Sequence, residues 1–308
     1  MLYAEDITWK GAIRMHQSKA VTLADGSTLE VSLTGKPGGQ IIMLPVVKKS
    51  VYGQEAESLK MWGVDPELGK HFVEGLSDLF QVLHFDYEGH RFQHPQPDLL
   101  TPEYLAHDFL HIADEMGIPT FSYYGYSWLA LAGLQLAIRT SRLESLIMGG
   151  FPPLEGPYRE MLTVTAKTYE QALQPPSFPS PQEQMQDLDR PEAFDWDQVQ
   201  VALDPRQSKQ FLTLYQSLVE FDDTSVQDQL QLPKLTFAGE ADRIEYGENF
   251  GGVTVDIAGT LRKNEQTLRE LGWNVALLPG KDMDHTKAMQ PEIVLPLMKP
   301  WLAANLLK

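Results

Sequence analysis

The 308-residue chain reads as an α/β protein: a mostly parallel, doubly wound sheet with helices on both faces and a helical insertion. Three observations predict this. Short apolar runs alternate with stretches of helical spacing over residues 20–150. The same alternation returns after residue 231. Between them, residues 151–230 change texture, with 14 Asp and Glu against 5 Lys and Arg and many Gln and Pro.

Residues 20–25 and 27–33 flank Asp25-Gly26, a hairpin pair. Residues 41–47 are a continuous apolar run behind Gly38-Gly39, which predicts a central strand. Residues 66–80 set Leu68, Phe72, Leu76, Leu79 and Phe80 at helical spacing, and residues 81–85 are a second buried strand leading into the polar loop Asp86 to His90. Thr101 is a good N-cap and Pro102 suits a first helical position, so a helix runs from there to Met116, stopped by Gly117. Residues 120–124 predict a strand, residues 128–139 a Leu- and Ala-rich helix, and residues 143–148 a strand ending in Gly149-Gly150.

In the insertion, amphipathic pieces at 160–173 and 208–221 flank a breaker cluster of Pro175, Pro176, Pro179 and Pro181. The core then resumes. A strand at 233–238 leads to Gly239-Glu240-Ala241-Asp242. A helix at 257–271 stops at Gly272. A last strand at 273–278 leads to His285, and residues 291–307 form a closing amphipathic helix. The domains expected are a core of 1–150 with 231–308 and a helical insertion of 151–230. There are no internal repeats.

Composition narrows the function. The net charge of −17 disfavours nucleic acid and anionic lipid as partners. No run of about eighteen apolar residues exists to span a membrane. Residues 1–19 carry charges throughout, so no secretion signal is expected and the expected location is cytoplasmic. The absence of cysteine excludes disulfides, thiolate metal sites and a cysteine nucleophile. His107 and His111 share a helix face at zinc-compatible spacing, and His84, Asp86, His90 and His94 cluster near a strand end, but no third zinc ligand is evident beside the first pair. No metal and no cofactor is expected. The expected partner is a small-molecule substrate; oligomeric state is left open.

Ser127 stands where the 120–124 strand turns into a helix. A sharp turn there lifts the hydroxyl clear of the backbone, and the helix amides that follow can hydrogen-bond a developing oxyanion. In parallel α/β sheets, sites lie beyond the carboxyl ends of the strands. Ser127, Asp242 and His285 all fall at such ends, in that order. Asp284, Asp222 and Asp223 are rivals to Asp242, with Glu240 nearby. Tyr126, Trp128 and His90 are candidates to line a pocket, with Met161, Tyr169, Phe178, Phe194 and Trp196 supplying apolar surface from the insertion.

Several segments, taken in series, resemble the α/β-hydrolase superfamily over roughly residues 20–150 and 232–305. Asp86 with Gly89-His90 resembles its Asp-x-x-Gly-His loop, and Gly125-Tyr126-Ser127-Trp128 its nucleophile elbow. The stretch from Leu235 to Asp242 resembles its acid strand, and Leu278-Pro279-Gly280 followed by His285 its histidine loop. The resemblance implies Ser127 as nucleophile, His285 as base, Asp242 as its orienter, and residues 151–230 as a helical cap. It also implies an oxyanion hole from the Trp128 amide and an amide of Val46 or Val47. Two departures stand out: Leu129 replaces the usual small residue after the elbow, and Pro45-Val46-Val47 replaces the usual His-Gly. The implied activity is hydrolysis of an uncharged, moderately apolar carboxylic ester. Cleavage of a C–C bond, thioester or amide by the same triad, or a non-catalytic binding relative, are the alternatives.

Overall fold

The structure, a computed structural model, describes residues 3–9, 12–174 and 204–307. The proline cluster and Phe178, Phe194 and Trp196 lie outside the described residues. Nine strands form the main sheet: β1 (Tyr3–Trp9), β2 (Ala12–Thr22), β3 (Thr28–Gly35), β4 (Ile41–Leu44), β5 (Gln81–His84), β6 (Phe121–Tyr126), β7 (Leu143–Gly149), β8 (Lys234–Gly239) and β11 (Trp273–Leu278). Their spatial order is β1-β2-β3-β5-β4-β6-β7-β8-β11. From β5 to β11 every pairing is parallel, while β1, β2 and β3 add an antiparallel flank.

Period-2 alternation in the central strands feeds two separate cores. Met43, Leu83, Tyr123, Leu146 and Met148 face one side, with helices α4 (Pro102–Glu115) and α5 (Trp128–Ala137). Ile42, Leu44, Val82, Tyr124, Ile147 and Phe237 face the other, with α2 (Leu68–Leu76) and the closing helix α9 (Pro291–Leu306). This is the doubly wound arrangement the apolar runs predicted.

Local chemistry sets the element ends. Thr101 Oγ1 accepts the Tyr104 amide at 3.3 Å and Pro102 opens α4, as the sequence predicted. β4 stops at Leu44, short of the expected Val47, because Pro45 has no N–H to continue the ladder. The segment after β5 departs from expectation: Asp86 to His90 is not a loop but the start of helix α3 (Tyr87–Gln93). The Asp86 carboxylate caps it by accepting the Gly89 amide at 2.8 Å. Helix α1 (Gln54–Met61) and the hairpin β9 (Arg243–Glu245) with β10 (Thr254–Asp256) were not anticipated.

Two described helices lie between β7 and β8: α6 (Tyr158–Ala172) and α7 (Pro205–Ser217), the latter shifted toward the N-terminus of its expected range. They pack on each other. Helix α7 is tied to the end of α3 and to the segment after it. Gln207 Nε2 donates to Phe92 O at 2.6 Å, Gln210 Nε2 to Arg91 O at 3.1 Å, and Thr213 Oγ1 to Pro97 O at 2.5 Å. The entry and exit of this helical segment are stapled together. Asp223 accepts the amides of Glu155 and Gly156, and Gln227 Nε2 donates to Pro153 O. Helix α8 (Ile257–Glu270) completes the layer beside β8 and β11.

A half-buried histidine at the antiparallel flank makes stability pH-dependent. His84 Nε2 lies 3.1 Å from Thr34 Oγ1, and His16 Nδ1 lies 2.8 Å from the same hydroxyl. Burial, then the charge of His16, pulls the His84 pKa down to about 4. The unfolded chain therefore takes up a proton near pH 6.5 that the folded chain refuses until about 4. The contribution is complete above pH 6.5 and is lost as pH falls toward 4, by up to about 3 kcal/mol. Urea titrations across this range should show the loss, and His84→Gln should flatten it; an unchanged slope would contradict the assignment.

Candidate active site

The turn from β6 to α5 is strained at Ser127, whose φ is 57° and ψ −130°. Among the described residues only Ser127 and Glu155 are non-glycine residues with positive φ. Such a conformation costs on the order of 1–3 kcal/mol and persists only where the surroundings enforce it. Here the Ser127 amide donates to Gly149 O at 2.8 Å, and Ser127 O accepts from Ala130 at 2.8 Å to start the helix. Gly125 allows the tight return: a Cβ there would stand 2.2 Å from Leu129 O. Leu129 itself finds room in the core at 3% exposure, and its carbonyl accepts the Tyr123 hydroxyl at 2.8 Å. A larger residue at this place therefore leaves the turn intact.

Asp242 and His285 come together from two strand ends. His285 Nδ1 lies 3.0 Å from both Asp242 carboxylate oxygens. Asp242 is fully buried and the His285 side chain is 21% exposed. The approach of the two loops depends on Gly239, where a Cβ would stand 1.9 Å from Met283 O. Met283 O in turn accepts the Ala241 amide at 3.0 Å. The rival acids are occupied elsewhere. Asp284 is exposed and accepts the Lys287 amide, Asp222 accepts the Thr224 amide, Glu240 accepts the Gly280 amide, and Asp223 holds Glu155 and Gly156.

His285 sits beside the elbow. Its ring centroid is 5.0 Å from that of Tyr126, the residue before Ser127, and its backbone oxygen accepts the Tyr126 hydroxyl at 2.8 Å. A Cβ on Gly150 would stand 2.8 Å from His285 Cε1. No hydrogen bond joins the Ser127 and His285 side chains; His285 is bonded to Asp242. Tyr126, expected to line a pocket, is 8% exposed and supports His285 from the core side. Burial first, then the Asp242 charge, raises its phenol well above the usual range, so it stays a donor.

The two segments expected to form an oxyanion hole are distinct in their bonding. The Trp128 amide, in the first turn of α5, donates to no backbone carbonyl among the described residues. Of the other pair, the Val47 amide is committed to Phe85 O at 3.2 Å. The Val46 amide makes no backbone bond among the described residues. The Trp128 indole N–H donates to Glu88 Oε1 at 2.8 Å, and its ring meets Phe211 of α7 edge-on at 5.2 Å.

His90 has a partner in the antiparallel flank. Its Nε2 lies 2.8 Å from Ser27 Oγ in the β2–β3 turn, where Arg91 also reaches Asp25 at 3.0 Å and Ser27 at 3.2 Å. It is 6% exposed, and burial followed by the Arg91 and His94 charges lowers its pKa to about 4. It anchors the hairpin. No group of three or more metal-ligating side chains occurs among the described residues, and His111 bonds Thr22 O at 2.9 Å. Sequence reasoning missed Glu88, whose place in an acidic segment carries no pattern, and Gly239, whose need becomes visible only once the histidine loop crosses it.

No protein-family model and no curated protein sequence matches the chain. Solved structures do match its fold. A thermophilic esterase from Thermogutta terrifontis, solved malate bound, has a TM-score of 0.55 at 18% identity, covering 94% of this chain and 99% of that one. An enol-lactonase from Burkholderia xenovorans LB400 has a TM-score of 0.53 at 15% identity, covering 92% and 100%. The bottromycin epimerase BotH, in complex with bottromycin A2, has a TM-score of 0.50 at 13% identity, covering 94% and 99%. The chain has the α/β-hydrolase fold. At these identities the likeness speaks to the fold and leaves the chemistry to the site.

Gly239→Ala tests the loop crossing. The added methyl forces Met283 and the loop that carries His285 away from β8. Unfolding stability should fall by about 1–3 kcal/mol in urea titrations. Wild-type stability would mean that the two loops do not cross as closely as described.

Proposed function

We propose that the chain is a serine hydrolase acting on an uncharged, moderately apolar carboxylic ester, with Ser127 as nucleophile, His285 as general base and Asp242 as its orienter. The observation that carries this reading is the buried Asp242 carboxylate bonded to Nδ1 of an imidazole beside the strained Ser127 turn. With Nδ1–H held by Asp242, Nε2 is the free base.

In the proposed sequence, Ser127 Oγ attacks the ester carbonyl as its proton passes to His285 Nε2. The carbonyl oxygen becomes an oxyanion held by the Trp128 and Val46 amides. The tetrahedral species collapses, and the imidazolium gives its proton to the departing alkoxide, leaving an acyl-Ser127. Water then loses a proton to His285 and attacks the acyl carbon. Collapse returns the proton to Ser127 Oγ and releases the acid. Residues 151–230 are read as the cap. Phe211 against Trp128 supports an apolar acyl side, and a net charge of −17 weighs against anionic substrates. The proposed setting is cytoplasmic; among the described residues no helix is long and apolar enough to cross a membrane.

The second reading is a relative that binds without turnover, or one that uses the site for a different bond. Its support is the missing Ser127–His285 hydrogen bond. A panel of p-nitrophenyl esters, amides and thioesters, with a fluorophosphonate label, separates the readings. The wild type should hydrolyse short or medium acyl esters and label at Ser127. Ser127→Ala should abolish both, and Asp242→Asn should lower kcat by about 10⁴. No labelling and no turnover across the panel would favour the binding reading.

A further inference from the structure

We infer that Glu88 is a positioning residue that holds the two halves of the oxyanion hole in register. The inference rests on the proposed hydrolase function and deepens it. The two donors belong to segments far apart in sequence, the loop after β4 and the first turn of α5. Glu88 touches both sides. Its Oε1 accepts the Trp128 indole N–H at 2.8 Å, and its Oε2 lies 2.6 Å from Lys48 Nζ. Trp128 is the residue after the nucleophile, and Lys48 is two residues beyond Val46, whose carbonyl accepts the Lys48 amide at 3.1 Å.

The backbone around Glu88 is held on the same two sides. Tyr87 N donates to Pro45 O at 3.1 Å, and Val47 N donates to Phe85 O at 3.2 Å. Asp86 caps the turn that carries Glu88. Glu88 is thus the side-chain member of a clasp whose main-chain bonds already join α3 to the Val46 loop, and it extends the clasp to Trp128 by a hydrogen bond. Phe211 and Tyr87 pack against the same indole, at 5.2 and 6.3 Å between ring centroids, leaving it little freedom to rotate away from the carboxylate.

The charges are arranged consistently. A lone carboxylate next to a developing oxyanion would oppose it, and Lys48 offsets that charge. Burial pulls the Lys48 pKa down, and the charge and hydrogen bond of Glu88 more than reverse this, so the ammonium form is favoured. Both carboxylate oxygens of Glu88 are engaged, one by the Trp128 indole and one by Lys48, so its action is through those two side chains. Donors of an oxyanion hole must be placed to within about 0.5 Å, and a clasp between their segments supplies that placement.

The test is steady-state hydrolysis of p-nitrophenyl butyrate, with melting temperature measured alongside. Glu88→Ala should lower kcat about tenfold with KM within about twofold, less than the roughly 10²–10³ lost when a donor is deleted. Glu88→Gln keeps an oxygen for the indole N–H and should recover most of that loss. Lys48→Met should lower kcat by about threefold. If Glu88→Ala does not fold, Lys48→Met decides by the same kcat-against-KM split and is expected to lower kcat. Wild-type kcat in folded Glu88→Ala or Lys48→Met overturns the inference, as does a raised KM with kcat intact. An inert wild type, toward this ester and the wider panel, instead sinks the hydrolase reading and the inference with it.

Discussion

The contact between the buried Asp242 carboxylate and the His285 imidazole is the constraint on which the rest of this molecule depends. It joins two loops that leave neighbouring parallel strands, and it forms because β8 and β11 run in register from Trp273 against Lys234 to Leu278 against Gly239. A side chain at position 239 would separate them. Burying a carboxylate is costly unless it is paired, so the pairing has to be made for this rim to fold as it does. The Tyr126 hydroxyl then fixes the backbone of His285 from beneath, which couples the histidine to the strand that ends in Ser127.

The strained turn at Ser127 draws on the same sheet. A positive φ at a serine is tolerated because β7 accepts the Ser127 amide and the α5 backbone closes over Gly125. The rigid, doubly covered centre of the sheet holds the conformation, and the loops and helices around it carry the variable parts. That division explains how Leu129 is accommodated: it is buried in a core that was already packed against α4 and α5. Pro45, which has no N–H, ends its strand, and the Val46 amide that follows it is left without a backbone acceptor among the described residues.

Much of this was legible in the residues, for identifiable reasons. Buried parallel strands give mostly apolar runs, so the strands at 41–44, 121–126, 143–149 and 234–239 stand out from their surroundings, while 273–278, with Asn274 exposed, is the half-buried edge. The Thr101-Pro102 start of α4 is written in capping chemistry. The positions of Ser127, Asp242 and His285 at strand ends follow from the α/β alternation. What escaped depends on contacts between distant segments. His90 looks like a rim residue in sequence because it follows a strand end; only the fold shows it facing Ser27, 63 positions away. Val46 and Val47 are equivalent until the antiparallel bridge to Asp86 commits one of their amides. Helix α3 was hidden because Asp86 to His90 has the polar composition of a loop, and its cap is a side-chain interaction that composition does not display.

The account is tested most directly by a crystal structure of the chain after treatment with a fluorophosphonate. It predicts phosphorus bonded to Ser127 Oγ, a phosphonyl oxygen about 3 Å from the Trp128 and Val46 amides, and His285 Nε2 within about 3.2 Å of the adduct. An unmodified Ser127, or an adduct from which His285 is turned away while still bonded to Asp242, would contradict it.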